Sequence, residues 1–498
     1  MSFGLAYALA WSPVMLVLVL AVGLRRPALD LSVAGLAYTF GLCLWGFDTP
    51  PGVLLRAAAD GVLTTLPLLL VILAGIGLST VCLAKGSLQR IVRWYSDRVR
   101  GEWHRTALLT MGVGNFMEGA GVIAEPVVAP MLRASGLSPT ASAALSIVGY
   151  AGLMTLALAG IIVTVLATVT GIPAVRLGAD VAVLSVLPTL LLSVSVPWFA
   201  EGPRAVIRQA PLFAATGLTA GLMAWAAVRW VGIPVSAMLG GLAVIGGLLL
   251  RGGKGLVPDR AILRDFAPFG LIIVGLSTVN LIPAVRHGAR TALAWELAVI
   301  PVHTVTLRPL FDAYTYLFAA LGLALLVLRF DPGERARLLR ATASKAWRPV
   351  LAMALFGAMG QLVAYSGYRP DFSGVDELRN LATILAQGTY RYTGTMYPLF
   401  APLLGWVGTF LTGYGVASIM LFGKFQVTAA GLLGISPSTL ASALAVGASV
   451  GSVSSPFKIA IATPLCDAVG LEGDVLRKTV PLGIGVSLAL GLWVLLAG

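Results

Sequence analysis

Glu118 lies in the stretch Gly114-Asn115-Phe116-Met117-Glu118-Gly119-Ala120-Gly121-Val122, a carboxylate among glycines in an otherwise apolar run. An acid at membrane depth faces a cavity or a partner, and in such a place it can carry a proton. The alternative is structural: a carboxylate at a helix break accepts the N–H groups that the break leaves unpaired. Glu125 follows shortly after, and Lys424 and Lys458 lie in apolar segments near the other end of the chain. Unpaired, each such charge would cost about 2.5–3.5 kcal/mol to insert. They therefore neutralise one another near a site, or a lysine meets a bound carboxylate, or they reach water at loop ends by snorkelling. Ser454-Ser455-Pro456 reads as an N-cap and helix start, either an ordinary cap or a half-helix end offering N–H groups to an anion. Asn115, Thr409, Thr412, Ser418 and Gln426 are further polar groups suited to lining a cavity, beside Gly119, Gly121 and Gly413.

Other chemistries find no support. No His, Cys and acid spacing suits a metal, no cofactor is implied, and Arg251-Gly252-Gly253-Lys254-Gly255 lacks the spacing of a phosphate-binding loop. Cys43, Cys82 and Cys466 lie in apolar stretches without paired spacing. His104 and His287 fall in polar loops. His303, in Ile300-Pro301-Val302-His303-Thr304, reads as an interior histidine with its hydrogen bonds satisfied, the alternative being a proton shuttle.

The elements that must position these residues are membrane helices. Of 498 residues, 58% are hydrophobic and 11% charged, mean hydropathy is +0.92, and apolar runs long enough to span a bilayer recur. The runs lack period-2 alternation, so they are helices and not barrel strands. A net charge of +13 comes from basic residues in short loops; they set orientation, with attraction of an anionic substrate as the lesser reading and no nucleic acid implied. The chain starts with no charged signal-peptide region, and Gly4 to Leu24 reads as a first span. Lys85 to Arg105, amphipathic and basic, belongs inside; Asp48 to Asp60 belongs outside, as does the N-terminus.

The Gly114 stretch has an echo, Gly408-Thr409-Phe410-Leu411-Thr412-Gly413-Tyr414-Gly415-Val416. Gly136-Leu137-Ser138-Pro139 is likewise echoed by Gly434-Ile435-Ser436-Pro437. The first copy is entered from a basic loop and the second from the acidic Arg369–Arg379 loop, so the copies run in opposite senses. The expected architecture is an all-α polytopic membrane protein of about 12–14 segments, broken or re-entrant helices included. Two inverted repeats (residues 1–204 and 295–498) flank a connecting transmembrane part (205–294) whose loop charges, among them Lys254, give conflicting orientations. Inverted repeats place broken helices from both halves at the midplane, with alternating access as the mechanism.

The motifs also resemble a known family. Glu118-Gly119-Ala120, with Pro126 after a glycine-rich gap, resembles the F-L-E-G-A-A-G-F-G-T-P motif of bacterial L-lactate and glycolate permeases. Leu403-Leu404-Gly405-Trp406-Val407-Gly408-Thr409-Phe410-Leu411-Thr412-Gly413 is similar to L-G-W-L-G-T-F-L-T-G-S, and Leu421-Phe422-Gly423 with Gln426 to L-F-G-x-L-Q. Ser455-Pro456 and Glu472-Gly473 match the closing segment. The resemblance implies a proton-coupled importer of small 2-hydroxymonocarboxylates, on a scaffold whose transport domain moves like an elevator. It also implies a homodimer in a bacterial inner membrane. Here Tyr414-Gly415-Val416-Ala417-Ser418 replaces the family's S-D-T-S-S-N, Glu125 replaces a Thr, and Lys424 and Lys458 stand at neutral positions. A carrier of another organic or inorganic anion, with sodium as the coupling ion, is the alternative; a membrane-embedded enzyme is the third reading.

Glu118 and Glu125 are thus the expected proton-coupling residues. Asn115, Gly119, Gly121, Thr409, Thr412, Gly413, Ser418, Lys424, Gln426, Ser454, Ser455 and Lys458 are the expected substrate site.

Overall fold

A computed structural model describes residues 2–252 and 257–497; Lys254, counted above among the loop charges, lies outside them. Among the described residues, ten helices are long and apolar enough to cross a membrane, or eleven if the bent pair Pro437–Ser454 and Pro456–Cys466 counts as one span. The other segments expected from sequence are present as short pieces, because glycine and proline divide them.

The first half opens with α1 (Phe3–Leu18), α2 (Ala28–Gly41) and α3 (Pro51–Ala84). The amphipathic α4 (Ser87–Ser96) buries Leu88, Ile91 and Val92. Arg90 anchors it with paired hydrogen bonds to the fully buried Asp265 at 2.6 and 2.9 Å. Next come α5 (Glu102–Ala107), a π-wound stretch Leu108–Val113, and α6 (Gly114–Gly119). The widened turns carry the helix through Gly112 and Gly114, where sequence alone suggests interruption. The break comes later, at Gly121 (φ +76°), before α7 (Glu125–Ala134) restarts with Pro126 in its first turn. Ser138 caps α8 (Pro139–Ala151) through its hydroxyl. α9 (Ile161–Thr170) and α10 (Ala174–Glu201) complete this half.

The middle contributes α11 (Pro203–Trp230), α12 (Ser236–Gly252), α13 (Arg260–Leu281) and α14 (Pro283–Thr291). A departure from the all-helical expectation follows: an antiparallel hairpin of β1 (Trp295–Ile300) and β2 (His303–Leu307), with Leu297 opposite Val305. It packs on α3. Val, Thr and Ile alternate over too few residues there for a period-2 pattern to stand out from the apolar background.

The second half runs α15 (Ala313–Val327), α16 (Pro332–Tyr365), α17 (Leu381–Thr393), α18 (Tyr397–Thr412), α19 (Gly415–Leu433), α20 (Pro437–Gly451), α21 (Pro456–Ala462) and α22 (Glu472–Ala497). A capping box of Asp331 and Glu334 starts α16. α17 buries Leu381, Ile384, Leu385 and Ala386 in the bundle.

α3 and α16, the two longest helices, cross at Gly61 and Gly357. A side chain on either glycine would strike the backbone of the other. Glycine is what lets the two backbones touch.

Candidate functional site

The first turn of α21 links the second motif to residues that follow the first. Ser455, fully buried, is its N-cap, the hydroxyl accepting from the Lys458 N–H at 3.4 Å. Phe457 reaches the second motif: its ring lies 5.0 Å from that of Tyr414, and Gly413 (φ +82°) packs on it without room for a side chain. The next residue, Lys458, reaches the first half. Its Nζ donates to the Tyr150 hydroxyl at 2.7 Å, and that hydroxyl donates to Glu125 Oε1 at 2.6 Å. Lys458 Nζ itself lies 4.0 Å from Glu125. Tyr150 and Glu125 are 1% exposed. A charge pair at this depth persists because the tyrosine completes its hydrogen bonding; deleting one partner would strand the other at about 3–5 kcal/mol.

Glu118 closes the first break. Its Oε1 accepts from the Ala124 N–H, the N-cap residue of α7, at 2.9 Å. The structural reading thus describes one of its oxygens. Thr412 holds the matching position in the second motif. Its hydroxyl donates to the Gly408 carbonyl at 2.8 Å and accepts from the Tyr414 N–H at 3.3 Å across the second break.

Asn115 donates to the Met111 carbonyl at 2.8 Å and to the Gly149 carbonyl at 3.1 Å, one residue from Tyr150. Asn115 Oδ1, Glu125 Oε2 and Thr409 Oγ1 are buried without a protein hydrogen-bond partner among the described residues. Such acceptors and hydroxyls are where a polar ligand gains most. The halves are also bonded at their inner helix ends. Ser449 on α20 accepts from the Thr155 N–H at 2.8 Å and donates to the Ala151 carbonyl at 2.8 Å, and the Thr155 hydroxyl donates to the Ala445 carbonyl at 2.9 Å.

Several expected site residues are placed elsewhere. Ser418 donates to the Gly405 carbonyl at 3.1 Å and Gln426 pairs with Tyr397 at 2.6 Å, both fastening α19 to α18. Ser454 donates to the Thr479 carbonyl at 2.8 Å. Gly119 packs against the Met238 backbone on α12, and Gly121 against Leu317. Lys424 does not join Lys458 and Glu125; its charge acts on His303. α21 has only seven residues, and its capped first turn offers little as an anion cradle.

Two groups escape sequence reading. Tyr150 sits in an apolar span, and only its place after Gly149, the residue that packs on the Thr110 backbone, marks it. Asp60 looks like the end of an outer loop, yet α3 starts at Pro51 and carries Asp60 inside the bundle, fully buried. The same helix start makes Arg56 part of α3.

A cavity of about 450 Å³ abuts the second break, its wall including Asp30, Arg348, Pro349, Tyr414 and Phe457.

Comparison with known proteins agrees with the motif resemblance. The L-lactate permease of Halalkalibacterium halodurans is 22% identical over 97% of this chain and 94% of its own length. The glycolate permease GlcA of Escherichia coli is 24% identical over 99% of this chain and 96% of its own. Among solved structures, the Alcanivorax borkumensis YdaH transporter superposes with a TM-score of 0.45 at 13% identity, covering 93% of this chain and 88% of that one. The family model for L-lactate permease matches residues 7–252 and 298–498. The chain is a multi-pass membrane protein that belongs to the L-lactate permease family.

Proposed function

We propose that the chain is a secondary transporter of small monocarboxylates, 2-hydroxy acids such as lactate and glycolate, in symport with a proton. The observation that carries this reading is the Lys458–Tyr150–Glu125 chain. It places an ammonium, tied to both halves, beside a carboxylate that cannot be solvated. An ammonium has three N–H donors. Tyr150 takes one and Glu125 lies near a second, which leaves donor capacity for a substrate carboxylate. Asn115 and Thr409, each with an unused buried oxygen, are suited to a 2-hydroxyl group. Glu118 is the proton carrier: it is 4% exposed, and its bond to the Ala124 N–H survives protonation because one oxygen still accepts. The relatives' names, L-lactate and glycolate permease, support the substrate class.

The two halves act as inverted repeats in alternating access. Support comes from the reciprocal contact of Gly61 and Gly357, the hydroxyl caps Ser138 and Ser436, and the close packing of Gly149 on Thr110 and of Gly447 on Pro402. Basic loops put the N-terminus outside and Arg348 inside, so the cavity at Tyr414 and Phe457 opens toward the cytoplasm.

The test is reconstitution in liposomes under an imposed pH gradient, with labelled lactate, glycolate, pyruvate and dicarboxylates. Uptake of the 2-hydroxy acids driven by an inward proton gradient is expected. Uptake that ignores pH and follows sodium overturns the proton assignment, and no uptake of any carboxylate overturns the substrate class.

A further inference from the structure

A second buried ionisable cluster lies apart from the site above, where α3, α9, α16, α19 and the hairpin converge. Asp60, on α3, accepts from Gln361 Nε2 on α16 at 2.8 Å. The hairpin inserts His303 against the same carboxylate, with Nδ1 at 2.9 Å from Oδ1 and 2.8 Å from Oδ2. The other ring nitrogen, Nε2, faces the Thr168 carbonyl near the end of α9 at 3.2 Å. A carboxylate and a carbonyl are both acceptors. Both ring nitrogens must therefore donate, and only the doubly protonated imidazolium does so. The Lys424 charge on α19 opposes a charge on the ring, and Tyr365 on α16 lies within reach of the Asp60 charge.

The cluster ties together parts that an alternating-access cycle must move. α3 and α16 are the crossed pair joined at Gly61 and Gly357. α9 continues through Met154–Gly160 from α8, the helix that carries Tyr150. His303 in its charged form spans the two groups, bonding to Asp60 on one side and to α9 on the other.

We propose that His303 and Asp60 form a second proton-binding site of the transport cycle, whose charged form latches α9 to α3 and whose deprotonation releases it. This rests on the proton-coupled reading above and extends it to named residues. In the release step the Nε2–H bond breaks and the proton passes to water. The ring then turns a lone pair toward the Thr168 carbonyl, and that contact becomes repulsive. Nδ1–H stays with Asp60, so the hairpin keeps its seat on α3 while α9 is freed. His303 is partly open to solvent, its side chain 14% exposed, which gives the proton a way in and out. Burial works against the charge on the ring, but the hydrogen bond to Asp60, its negative charge and the Thr168 carbonyl outweigh burial and the opposing Lys424 charge. The result lies above the ordinary histidine value. The latch is therefore closed at the lower pH and opens as pH rises through that raised value.

The test uses the full chain in liposomes with His303→Gln and Asp60→Asn, and labelled L-lactate as the probe. Two rates are compared: net uptake driven by a pH gradient, and lactate–lactate exchange at equal pH on both sides, which needs no net proton movement. Expected is a loss of driven uptake of at least about tenfold with a flattened pH profile, while exchange stays within about twofold of wild type. Equal loss of both rates overturns the proposal, since it marks a hairpin anchor and no more. Unchanged driven uptake in both variants also overturns it. A wild-type protein without pH-driven uptake would overturn the coupled reading itself, and so separates the two failures. A readout independent of transport comes from labelled histidine, of which the chain has three. Nitrogen NMR, assigned by His303→Gln, is expected to show His303 doubly protonated near neutral pH and neutral in Asp60→Asn. A neutral ring in the wild type contradicts the latch.

Discussion

The two broken helices share a plan and differ in chemistry. Each ends in a glycine of positive φ, Gly121 and Gly413, and each break is bridged by the side chain at the same motif position. In the first the bridge is Glu118, an acid; in the second it is Thr412, a hydroxyl. Around the first lie Glu125, Tyr150 and the incoming Lys458; around the second lie Tyr414 and Phe457. The glycine break recurs while the charge does not. In the symport proposed above, one proton and one anion need only one ionic half. α21 makes the asymmetry work, since consecutive residues, Phe457 and Lys458, serve the neutral and the ionic break.

The ionic break depends most on Lys458. Lys458→Met strands Glu125 and Tyr150, and initial uptake should fall by at least about 100-fold. The charge swap Lys458→Glu with Glu125→Lys should regain at least about tenfold over either single variant, whereas a swap of Glu125 with Lys424 should regain nothing. Next in size is Glu118→Gln. The amide oxygen keeps the bond to Ala124 but cannot release a proton, so gradient-driven uptake should drop about tenfold or more while exchange persists. If both rates survive, Glu118 is a helix-break residue like Thr412 and the asymmetry is lost. Thr412→Val removes only a neutral bridge. It should cost about 1 kcal/mol of stability and a few-fold in uptake, read from a thermal unfolding midpoint and an uptake rate. The smallest effect is expected after α8, where Leu158, Ala159 and Gly160 follow one another with φ of 51°, 52° and 75°. Ala159→Gly relieves an alanine held in the left-handed region and should stabilise the fold by about 1 kcal/mol, again by unfolding midpoint.

Much of this asymmetry is legible in the sequence, because a charge or a glycine inside an apolar run is conspicuous. Glu118, Glu125, Lys458 and the Ser455 cap stand out for that reason, and so do the paired motifs. Pairing is less legible. Lys424 and Lys458 look alike in sequence, yet Lys458 meets Glu125 while the charge of Lys424 acts on His303. Only the packing of α9 against α19 and of α21 against α7 separates them. Tyr150 is hidden because an aromatic in a span normally reads as packing. Asp60 is hidden because Asp48 to Asp60 reads as an outer loop, whereas Pro51 at the first turn starts a helix that runs through Asp60. The hairpin is too short for its alternation to register, and His303 gains its meaning only from where that hairpin lands.

The most direct measurement is the internal pH of liposomes carrying the protein, followed with a trapped dye as external lactate is added, against protein-free liposomes that report passive entry of the undissociated acid. Wild-type protein should carry lactate and protons inward together, Lys458→Met should carry neither, and Glu118→Gln should exchange lactate without acidifying the interior. Lactate entry without protein-dependent acidification, or acidification undiminished in Glu118→Gln, would contradict an ionic first break that carries both proton and anion.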